Sequence, residues 1–250
     1  MYLGLDLGSR NVKMVLMEDG RLFDYRKYDT VSFYRQFGRI DAGKLTVDFP
    51  ALGLDPADLV VVATGYGRQA VRLKSAKIIP ELRAHVNGAG YLTGLKDFTL
   101  LDLGGQDSKV IQVRGGKIKD FLTNDKCAAS TGRYLENMAA VLNIDLKELG
   151  KRYSDPVDLT STCAIFGESE LIEKIVEGHS IAALAAGVNY SIFKRVKRSL
   201  THLLSDKLVF TGGVAYSKAL VEIIRGEMGL EVLVPDLPEY TGAVGCALER

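Results

Sequence analysis

The alternation of apolar and polar positions along the chain predicts strands joined by tight turns. A buried strand opens the chain at MYLGLDLG, and VKMVLM and EDGRLFDY extend it into a meander with turns at GSRN and EDG. Residues 100–125 repeat this meander, and apolar runs at 55–65 and 206–213 predict further buried strands. LEVLVP predicts another strand.

Other stretches have the spacing of helices. Leu135 and Met138 share one face of a helix predicted within TGRYLENMAAVLNIDLKELGKR. A second helix is predicted to begin near Glu168, and others lie at 180–204, at 217–229 and in YTGAVGCALE. Strands that alternate with helices in this way predict an α/β fold.

One segment of the chain is repeated. Residues 5–22 align with 101–118 without a gap, and both copies lie among β-branched residues. The identical pairs are Leu5/Leu101, Asp6/Asp102, Leu7/Leu103, Gly8/Gly104, Lys13/Lys109 and Gly20/Gly116. A D-L-G strand end, a lysine and a hairpin glycine therefore recur in register. This repeat predicts two similarly built halves, each opening with a β-hairpin.

Composition narrows the classes of function. The 250 residues suit one large domain or two small ones, and a net charge of +1 gives no general attraction to nucleic acid or to an anionic membrane. No apolar run approaches the roughly 20 residues that a membrane span needs, and the N-terminus has no basic leader. We therefore expect a cytoplasmic protein, in which the three cysteines are not disulfide-bonded.

The two hairpins predict a site for a nucleoside triphosphate. Glycine turns let the backbone approach phosphate oxygens and point N–H groups at them. Asp6 and Asp102, at the strand ends, are placed to hold Mg²⁺ through its waters. A third glycine turn, TGGVAYSK at 211–218, leads from a strand into a helix and is a candidate for the adenosine end. The alternative is that these are ordinary tight turns capped by the aspartates.

This layout resembles the superfamily of acetate and sugar kinases, Hsp70 and actin over the whole chain. The resemblance implies an α/β fold of two ribonuclease-H-like halves around a nucleotide cleft that closes on ATP. The first half is expected at 1–94, together with a C-terminal helix at 238–250. The second is expected at 95–237, with the adenosine turn and two of the cysteines.

Two cysteines stand where a metal ligand would be well placed. Cys127 and Cys163 lie among small and polar residues just ahead of predicted helices, whereas Cys246 lies among apolar residues and is interpreted as a buried hydrophobe. A helix N-terminus favours a thiolate, which ligates metal well. Two cysteines cannot complete a cluster that needs four thiolates, but two chains can. One [4Fe–4S] cluster bridging a homodimer satisfies this count; the alternative is that both thiols are structural.

At these residues the resemblance becomes specific. NDKCAASTGRYLE, STCAIFGESELI, DLGGQDSK, TGYGR and TGGVA are similar to motifs of the activator component of 2-hydroxyacyl-CoA dehydratases, a family that includes the ATPase subunits of benzoyl-CoA reductase. The resemblance implies that Cys127 and Cys163 ligate one [4Fe–4S] cluster between two subunits. It also implies that ATP hydrolysis drives a low-potential electron onto a partner iron–sulfur protein, with ferredoxin or flavodoxin as the upstream donor.

The resemblance also assigns roles in the nucleotide site. Asp6 and Asp102 hold hydrated Mg²⁺, and Gln106 orients the attacking water. The residues expected to contact the nucleotide are Gly8 and Ser9 in the first turn, Gly104 and Gly105 in the second, and Gly212 and Gly213 at the nucleoside. Lys13 and Lys109 either approach phosphate or extend toward solvent at strand edges.

Several alternatives stay open at this level. The electron acceptor is either a 2-hydroxyacyl-CoA dehydratase or a double-cubane cluster protein. From another class, the chain is a small-molecule kinase, or a cluster-free actin-like ATPase in which the cysteines are incidental. The aromatic and basic segment at 23–54 is either a hairpin extension with a solvated face or a docking surface, and TGYGR is expected to be a structural turn.

Overall fold

The computed structural model describes residues 1–72, 76–124, 129, 131–161 and 163–249. Cys127, one of the two predicted cluster ligands, lies outside the described residues. The chain forms two compact units: unit 1 comprises Met1–Lys96 with Glu239–Arg250, and unit 2 comprises Asp97–Pro238. No helix in the described part of the chain is both long enough and apolar enough to cross a membrane.

Strands and helices alternate in both units. The strands are β1 (Tyr2–Leu7), β2 (Asn11–Glu18), β3 (Arg21–Asp29), β4 (Gly38–Asp41), β5 (Lys44–Val47), β6 (Val60–Thr64), β7 (Lys77–Ile78), β8 (Phe98–Leu103), β9 (Ser108–Arg114), β10 (Lys117–Asn124), β11 (Leu208–Thr211) and β12 (Val232–Leu233). The helices are α1 (Thr30–Phe37), α2 (Glu81–Thr93), α3 (Gly132–Val141), α4 (Leu146–Leu149), α5 (Ala164–Val176), α6 (Ile181–His202), α7 (Lys218–Met228) and α8 (Thr241–Ala247).

Unit 1 is built on a sheet with the strand order β3-β2-β1-β6-β7. The central strand β1 runs antiparallel to β2 and parallel to β6. Leu3, Leu5 and Leu7 of β1 are fully buried, as expected of a central strand that is covered on both faces. The parallel β1–β6 pair places the carboxyl ends of these two strands at the same edge of the sheet.

Helices α2 and α8 of unit 1 cross at two glycines. A Cβ atom at Gly245 would lie 1.7 Å from the Ala84 carbonyl oxygen, and one at Gly88 would lie 1.9 Å from the Thr241 carbonyl oxygen. Only glycine fits at either position, because the backbones of the two helices are nearly in contact. This close crossing holds the C-terminal helix within unit 1.

Unit 2 repeats the same strand order as β10-β9-β8-β11-β12. The central strand β8 runs antiparallel to β9 and parallel to β11. The hydrophobic core of unit 2 brings Tyr134 and Met138 of α3 together with Leu171 of α5 and Phe193 of α6. The helices that follow the two predicted cysteine ligands therefore share one hydrophobic core.

Some elements differ from the sequence-based expectation. Helix α5 begins at Ala164, four residues before Glu168, so that Cys163 is its N-cap. The helix predicted within TGRYLENMAAVLNIDLKELGKR is divided: α3 ends at Val141, and Asn143, with a positive φ of 52°, separates it from α4. Helix α2 had no counterpart among the predicted elements.

The aromatic segment at 23–54 also contains an element that the sequence did not predict. Helix α1 begins after Asp29, whose side chain accepts from the Ser32 N–H at 3.0 Å. Phe33 and Phe37 of α1 are buried, and both rings contact Tyr28 of β3. Part of this segment therefore belongs to the core of unit 1 and is not a solvated face.

Candidate functional site

The first D-L-G hairpin holds an acidic and a basic group side by side. Asp6 on β1 lies opposite Lys13 on β2, and the Lys13 Nζ donates to Asp6 Oδ2 at 3.2 Å. Gly8 begins the connecting turn, where a Cβ atom would lie 2.9 Å from the Asn11 carbonyl oxygen. Ser9 is exposed at the tip of the turn. The hairpin thus presents a buried carboxylate, an ammonium group and an exposed backbone turn.

The second hairpin has the same arrangement with one more carboxylate. Asp102 and Lys109 are opposite one another and almost fully buried, at 1% and 4% exposure. The Lys109 Nζ lies 3.4 Å from Asp102 Oδ2 and 2.5 Å from Asp107 Oδ2. The Gly104 N–H donates to the Asp107 carbonyl oxygen at 3.0 Å and closes the turn, while Gln106 is exposed at its tip. Lys109 is therefore held inside the hairpin.

The third glycine turn lies directly beside the second hairpin. Thr211, at the end of β11, is in register with Asp102, and its hydroxyl donates to Asp102 Oδ1 at 2.9 Å. Gly212 follows with φ 86°, and a Cβ atom there would lie 2.2 Å from the Leu103 carbonyl oxygen. Gly213 is exposed, and open space lies beside its Cα. A side chain would therefore clash with the backbone at Gly212 but has room at Gly213.

An equivalent Thr-Gly turn in unit 1 was expected to be structural only. Thr64, at the end of β6, is in register with Asp6. Gly65 has the same φ of 86° as Gly212, and a Cβ atom there would lie 2.7 Å from the Leu7 carbonyl oxygen and 3.0 Å from Asp6 Oδ1. The duplication therefore extends to a third strand in each unit. The signal in the sequence is a T-G pair that closes a buried apolar run.

Sequence reasoning did not link His85 to the first hairpin. His85 on α2 is buried, and a Cβ atom on Gly242 of α8 would lie 2.9 Å from His85 Nε2 and 3.3 Å from Asp6 Oδ2. The absence of a side chain at Gly242 therefore leaves room for both the imidazole and the carboxylate. Residues from near the end of the chain thus complete the surroundings of Asp6.

The turn of the second hairpin is bonded directly to helix α3. The Gly132 N–H donates to the Gly104 carbonyl oxygen at 2.9 Å, and the Arg133 N–H donates to the Gly105 carbonyl oxygen at 3.0 Å. These N–H groups belong to the first turn of α3, where a helix has no internal acceptors for them. The carbonyl oxygens of the predicted phosphate turn therefore accept hydrogen bonds from the first N–H groups of the helix that follows Cys127.

Cys163 is a half-buried free thiol at the start of α5. Its carbonyl accepts the Gly167 N–H at 2.8 Å, so that the helix begins immediately after it. Cys246 differs, because it is fully buried and burial raises the pKa of its thiol. Cys163 thus has the accessibility and the helix N-terminus that a metal ligand requires, whereas Cys246 has neither.

The segment before Cys163 is anchored by a carboxylate of the same helix. Glu170 Oε1 accepts from the Thr160 N–H at 2.8 Å, and Oε2 accepts from the Ser161 N–H at 2.9 Å. Burial opposes ionisation of Glu170, but the hydrogen bonds from these residues outweigh it and hold its pKa below the ordinary value. The ionised carboxylate therefore fixes the residues that lead into Cys163.

The first turns of α3 and α5 touch. A Cβ atom on Gly167 would lie 3.6 Å from both the Cε2 and the hydroxyl oxygen of Tyr134. The starts of the two cysteine-associated helices are therefore neighbours within unit 2. Among the described residues, no group of three or more His, Cys, Asp or Glu side chains converges as a metal site. Of the two thiols in the described part of the chain, Cys163 is the accessible one, which fits a site completed by other residues.

Comparison with known proteins relates this geometry to function. The model of the BadF/BadG/BcrA/BcrD ATPase family matches residues 3–249. The 2-hydroxyisocaproyl-CoA dehydratase activator of Clostridioides difficile is 36% identical over 99% of this chain and 94% of its own. The (R)-2-hydroxyglutaryl-CoA dehydratase activating ATPase of Acidaminococcus fermentans is 33% identical over 98% and 95%.

A solved structure agrees in fold. The structure of the 2-hydroxyisocaproyl-CoA dehydratase activator from Clostridium difficile with bound ADPNP superimposes with a TM-score of 0.85 at 33% identity. The match covers 99% of this chain and 92% of that one.

Proposed function

Since this chain belongs to the BadF/BadG/BcrA/BcrD ATPase family, we propose that it hydrolyses ATP to drive a low-potential electron onto a partner iron–sulfur protein. The observation that carries the proposal is the pair of hydrogen bonds from Gly132 and Arg133 to Gly104 and Gly105. A turn suited to phosphate is bonded there to the helix that follows Cys127. A change at the phosphates therefore has a short mechanical path to that helix.

The proposed nucleotide contacts follow from the two hairpins. Gly8-Ser9 and Gly104-Gly105 cradle phosphate oxygens with backbone N–H groups. Asp6 and Asp102 hold hydrated Mg²⁺, and their carboxylates are already oriented by Lys13 and Lys109. The exposure of Gln106 at the tip of the second turn supports its role in orienting the attacking water.

The two lysines are proposed to act differently. Lys109 is buried between Asp102 and Asp107, so it orients the carboxylates of the second hairpin. The side chain of Lys13 is 18% exposed, more than that of Lys109, which supports an approach of its ammonium group to a phosphate oxygen. For the nucleoside, the open space beside Gly213 supports contact there, while the strained backbone of Gly212 shapes the turn.

Cys163 is proposed as one ligand of a [4Fe–4S] cluster, together with Cys127 and the same two cysteines of a second copy. When bound, such a cluster supplies one-electron storage at low potential. The surface around Cys163 supports a protein contact: Ile165 and Phe166, which follow it directly, are 73% and 68% exposed, and Val176 of the same helix is 83% exposed. Apolar side chains so exposed on one helix are typical of an interface.

The electron acceptor is proposed to be a 2-hydroxyacyl-CoA dehydratase component. Relatives that match this chain over nearly their full length are named as activators of 2-hydroxyacyl-CoA dehydratases. A double-cubane cluster protein is the alternative acceptor by the same mechanism. The nucleotide is proposed to be ATP, as the ADPNP held by the structurally similar activator suggests.

Anaerobic purification tests the proposal. We expect a brown homodimer with about four iron atoms per two chains, bleached by dithionite, together with ATP hydrolysis. Cys127→Ala and Cys163→Ala should each lose the iron. Cys246→Ala is the matched control, because this buried thiol lies outside the proposed site and its removal should leave the iron content unchanged.

Two results would contradict the proposal. One is a colourless protein whose Cys127→Ala and Cys163→Ala variants keep full ATPase activity and the native response to a partner. The other is iron that is lost equally in the Cys246→Ala variant. Mixing the reduced protein with an oxidised dehydratase component, with and without ATP, then tests the acceptor by the rate of its reduction.

A further inference from the structure

Arg195 contacts two parts of unit 2 that adjoin the predicted cluster ligands: helix α3, which follows Cys127, and Ser161, which precedes Cys163. It lies half-buried on α6, and its Nη2 donates to the Ser161 carbonyl oxygen at 2.7 Å, two residues before Cys163. Its guanidinium carbon lies 5.0 Å from the centre of the ring of Tyr134, which is buried in the first turn of α3. A guanidinium group over an aromatic face is attracted by the ring. One side chain therefore joins the helix after Cys127 to the segment before Cys163.

The peptide that Arg195 contacts is also held by hydrogen bonds to Glu170. The Ser161 N–H is bonded to Glu170 at 2.9 Å, while the Ser161 carbonyl accepts from Arg195. Thr160 adds two bonds to the other oxygen of Glu170, from its N–H at 2.8 Å and its hydroxyl at 2.9 Å. A displacement of Arg195 therefore acts on a peptide that is tied by hydrogen bonds to Glu170 of α5, the helix that begins after Cys163.

Tyr134 connects Arg195 to the predicted phosphate turn. It follows Gly132 and Arg133, whose N–H groups are bonded to the carbonyl oxygens of that turn. Its hydroxyl lies 3.0 Å from the Ser191 Oγ on α6. Because these residues share one helical turn, movement of the phosphate turn carries the Tyr134 ring with it. A change in the position of the ring relative to α6 would in turn alter the contact with Arg195.

Arg195 also has an unused hydrogen-bonding group. Its Nη1 is buried and has no hydrogen-bond partner among the described residues. A buried donor without an acceptor raises the free energy of that arrangement. A second arrangement that supplied an acceptor would remove this cost, and coupling requires two arrangements that a ligand can favour differently.

We propose that Arg195 is a positioning residue that transmits movement of the Gly104–Gly105 turn, through the Tyr134 ring, to Ser161, two residues before Cys163. The inference rests on the proposed ATP-driven function and adds a route by which the nucleotide state reaches the second cysteine within one chain. Arg195 itself contacts neither nucleotide nor thiol in this scheme; it acts through Tyr134 and Ser161.

The test is the rate at which iodoacetamide alkylates Cys163 in the full-length protein after iron removal, read peptide by peptide by mass spectrometry. We expect rates with ADP and with a non-hydrolysable ATP analogue to differ by about fivefold or more. Arg195→Met should bring this ratio close to unity. Arg195→Lys can still reach Ser161 but lacks the planar face that stacks on Tyr134, so it should reduce the ratio.

Arg198→Met is the matched control, because Arg198 is an exposed arginine on the same helix. It should keep the native ratio. If Arg195→Met does not fold, the alkylation ratio is measured on Arg195→Lys instead. The inference is overturned if the native protein hydrolyses ATP without a nucleotide-dependent alkylation rate, or if the Arg195 variants keep the native ratio. Failure of the proposed function is a separate result, namely native protein that binds no iron.

Discussion

Replacing Gly212 by alanine should destabilise unit 2, whereas the same replacement at the neighbouring Gly213 should not. Gly212 has φ 86° and ψ 171°, a backbone conformation that is essentially restricted to glycine. Its new Cβ atom would lie 2.2 Å from the Leu103 carbonyl oxygen, so β8 and the turn would have to separate. At Gly213 the new methyl group meets no atom within 4 Å.

The magnitude follows from three contributions. The unfavourable backbone conformation costs about 1–3 kcal/mol, and the forced displacement at the Leu103 carbonyl costs about 1–3 kcal/mol. The smaller conformational entropy of alanine in the unfolded chain offsets about 0.4–1 kcal/mol. The net loss in the free energy of unfolding is about 1–6 kcal/mol, which for a chain of this size lowers Tm by roughly 2–24 °C.

Thermal unfolding followed by circular dichroism, with and without MgATP, is the assay. Gly212→Ala should melt lower under both conditions. Gly213→Ala should melt within about 2 °C of the native protein without nucleotide, as is usual for a tolerated surface change. If Gly213 lines the nucleoside, this variant should lose the stabilisation that MgATP gives the native protein. Equal melting temperatures for the two variants without nucleotide would refute the steric reasoning.

Three further predictions concern stability. Gly245→Ala should lose about 1–3 kcal/mol through its overlap with the Ala84 carbonyl. Gly226→Ala, the same change on α7 where the Cβ position is open, should raise the free energy of unfolding by about 0.5–1 kcal/mol. Urea unfolding in which Gly245→Ala is more stable than Gly226→Ala would contradict the packing described. Lys109→Met should lose about 3–5 kcal/mol because it leaves buried carboxylates without their ammonium group, and a urea midpoint equal to that of native protein would disprove this. The lowered pKa of Glu170 stabilises the fold above the unfolded-state pKa and ceases to do so as pH falls through the native value. Glu170→Gln should therefore make the urea midpoint less dependent on pH between about 3 and 6, in a direct comparison with native protein.

The architecture could be predicted because its signals are local. The family resemblance and the fold of two α/β halves are confirmed by the family match and by the structural superposition. Each half opens with a hairpin whose apolar strand, aspartate and glycine turn are adjacent in sequence. The start of α5 at Ala164 could not be predicted from such local signals. Gly167 looks like a helix breaker, yet it lies within α5, where a Cβ atom would meet Tyr134 at an ordinary contact distance of 3.6 Å.

The predicted site was incomplete where contacts join distant parts of the chain. Thr64 lies beside Asp6 only because β6 returns parallel to β1. Arg195 lies within a run of basic residues on a long helix, which is the pattern of a solvated face, and its contacts to Ser161 and Tyr134 are tertiary. The role of Cys127 stays a prediction, because that residue lies outside the described part of the chain.

The close crossing of α2 and α8 has a consequence for biosynthesis. Glu249 accepts hydrogen bonds from Lys77, Arg83 and Asn87, and Cys246 fills the small core beside Val62. Unit 1 therefore cannot reach its final packing until the ribosome has made unit 2 and the segment after it. Although domains generally fold in the order of synthesis, we expect unit 2 to be finished first here. The environment of Asp6 would then be completed only after α8 has left the ribosomal exit tunnel.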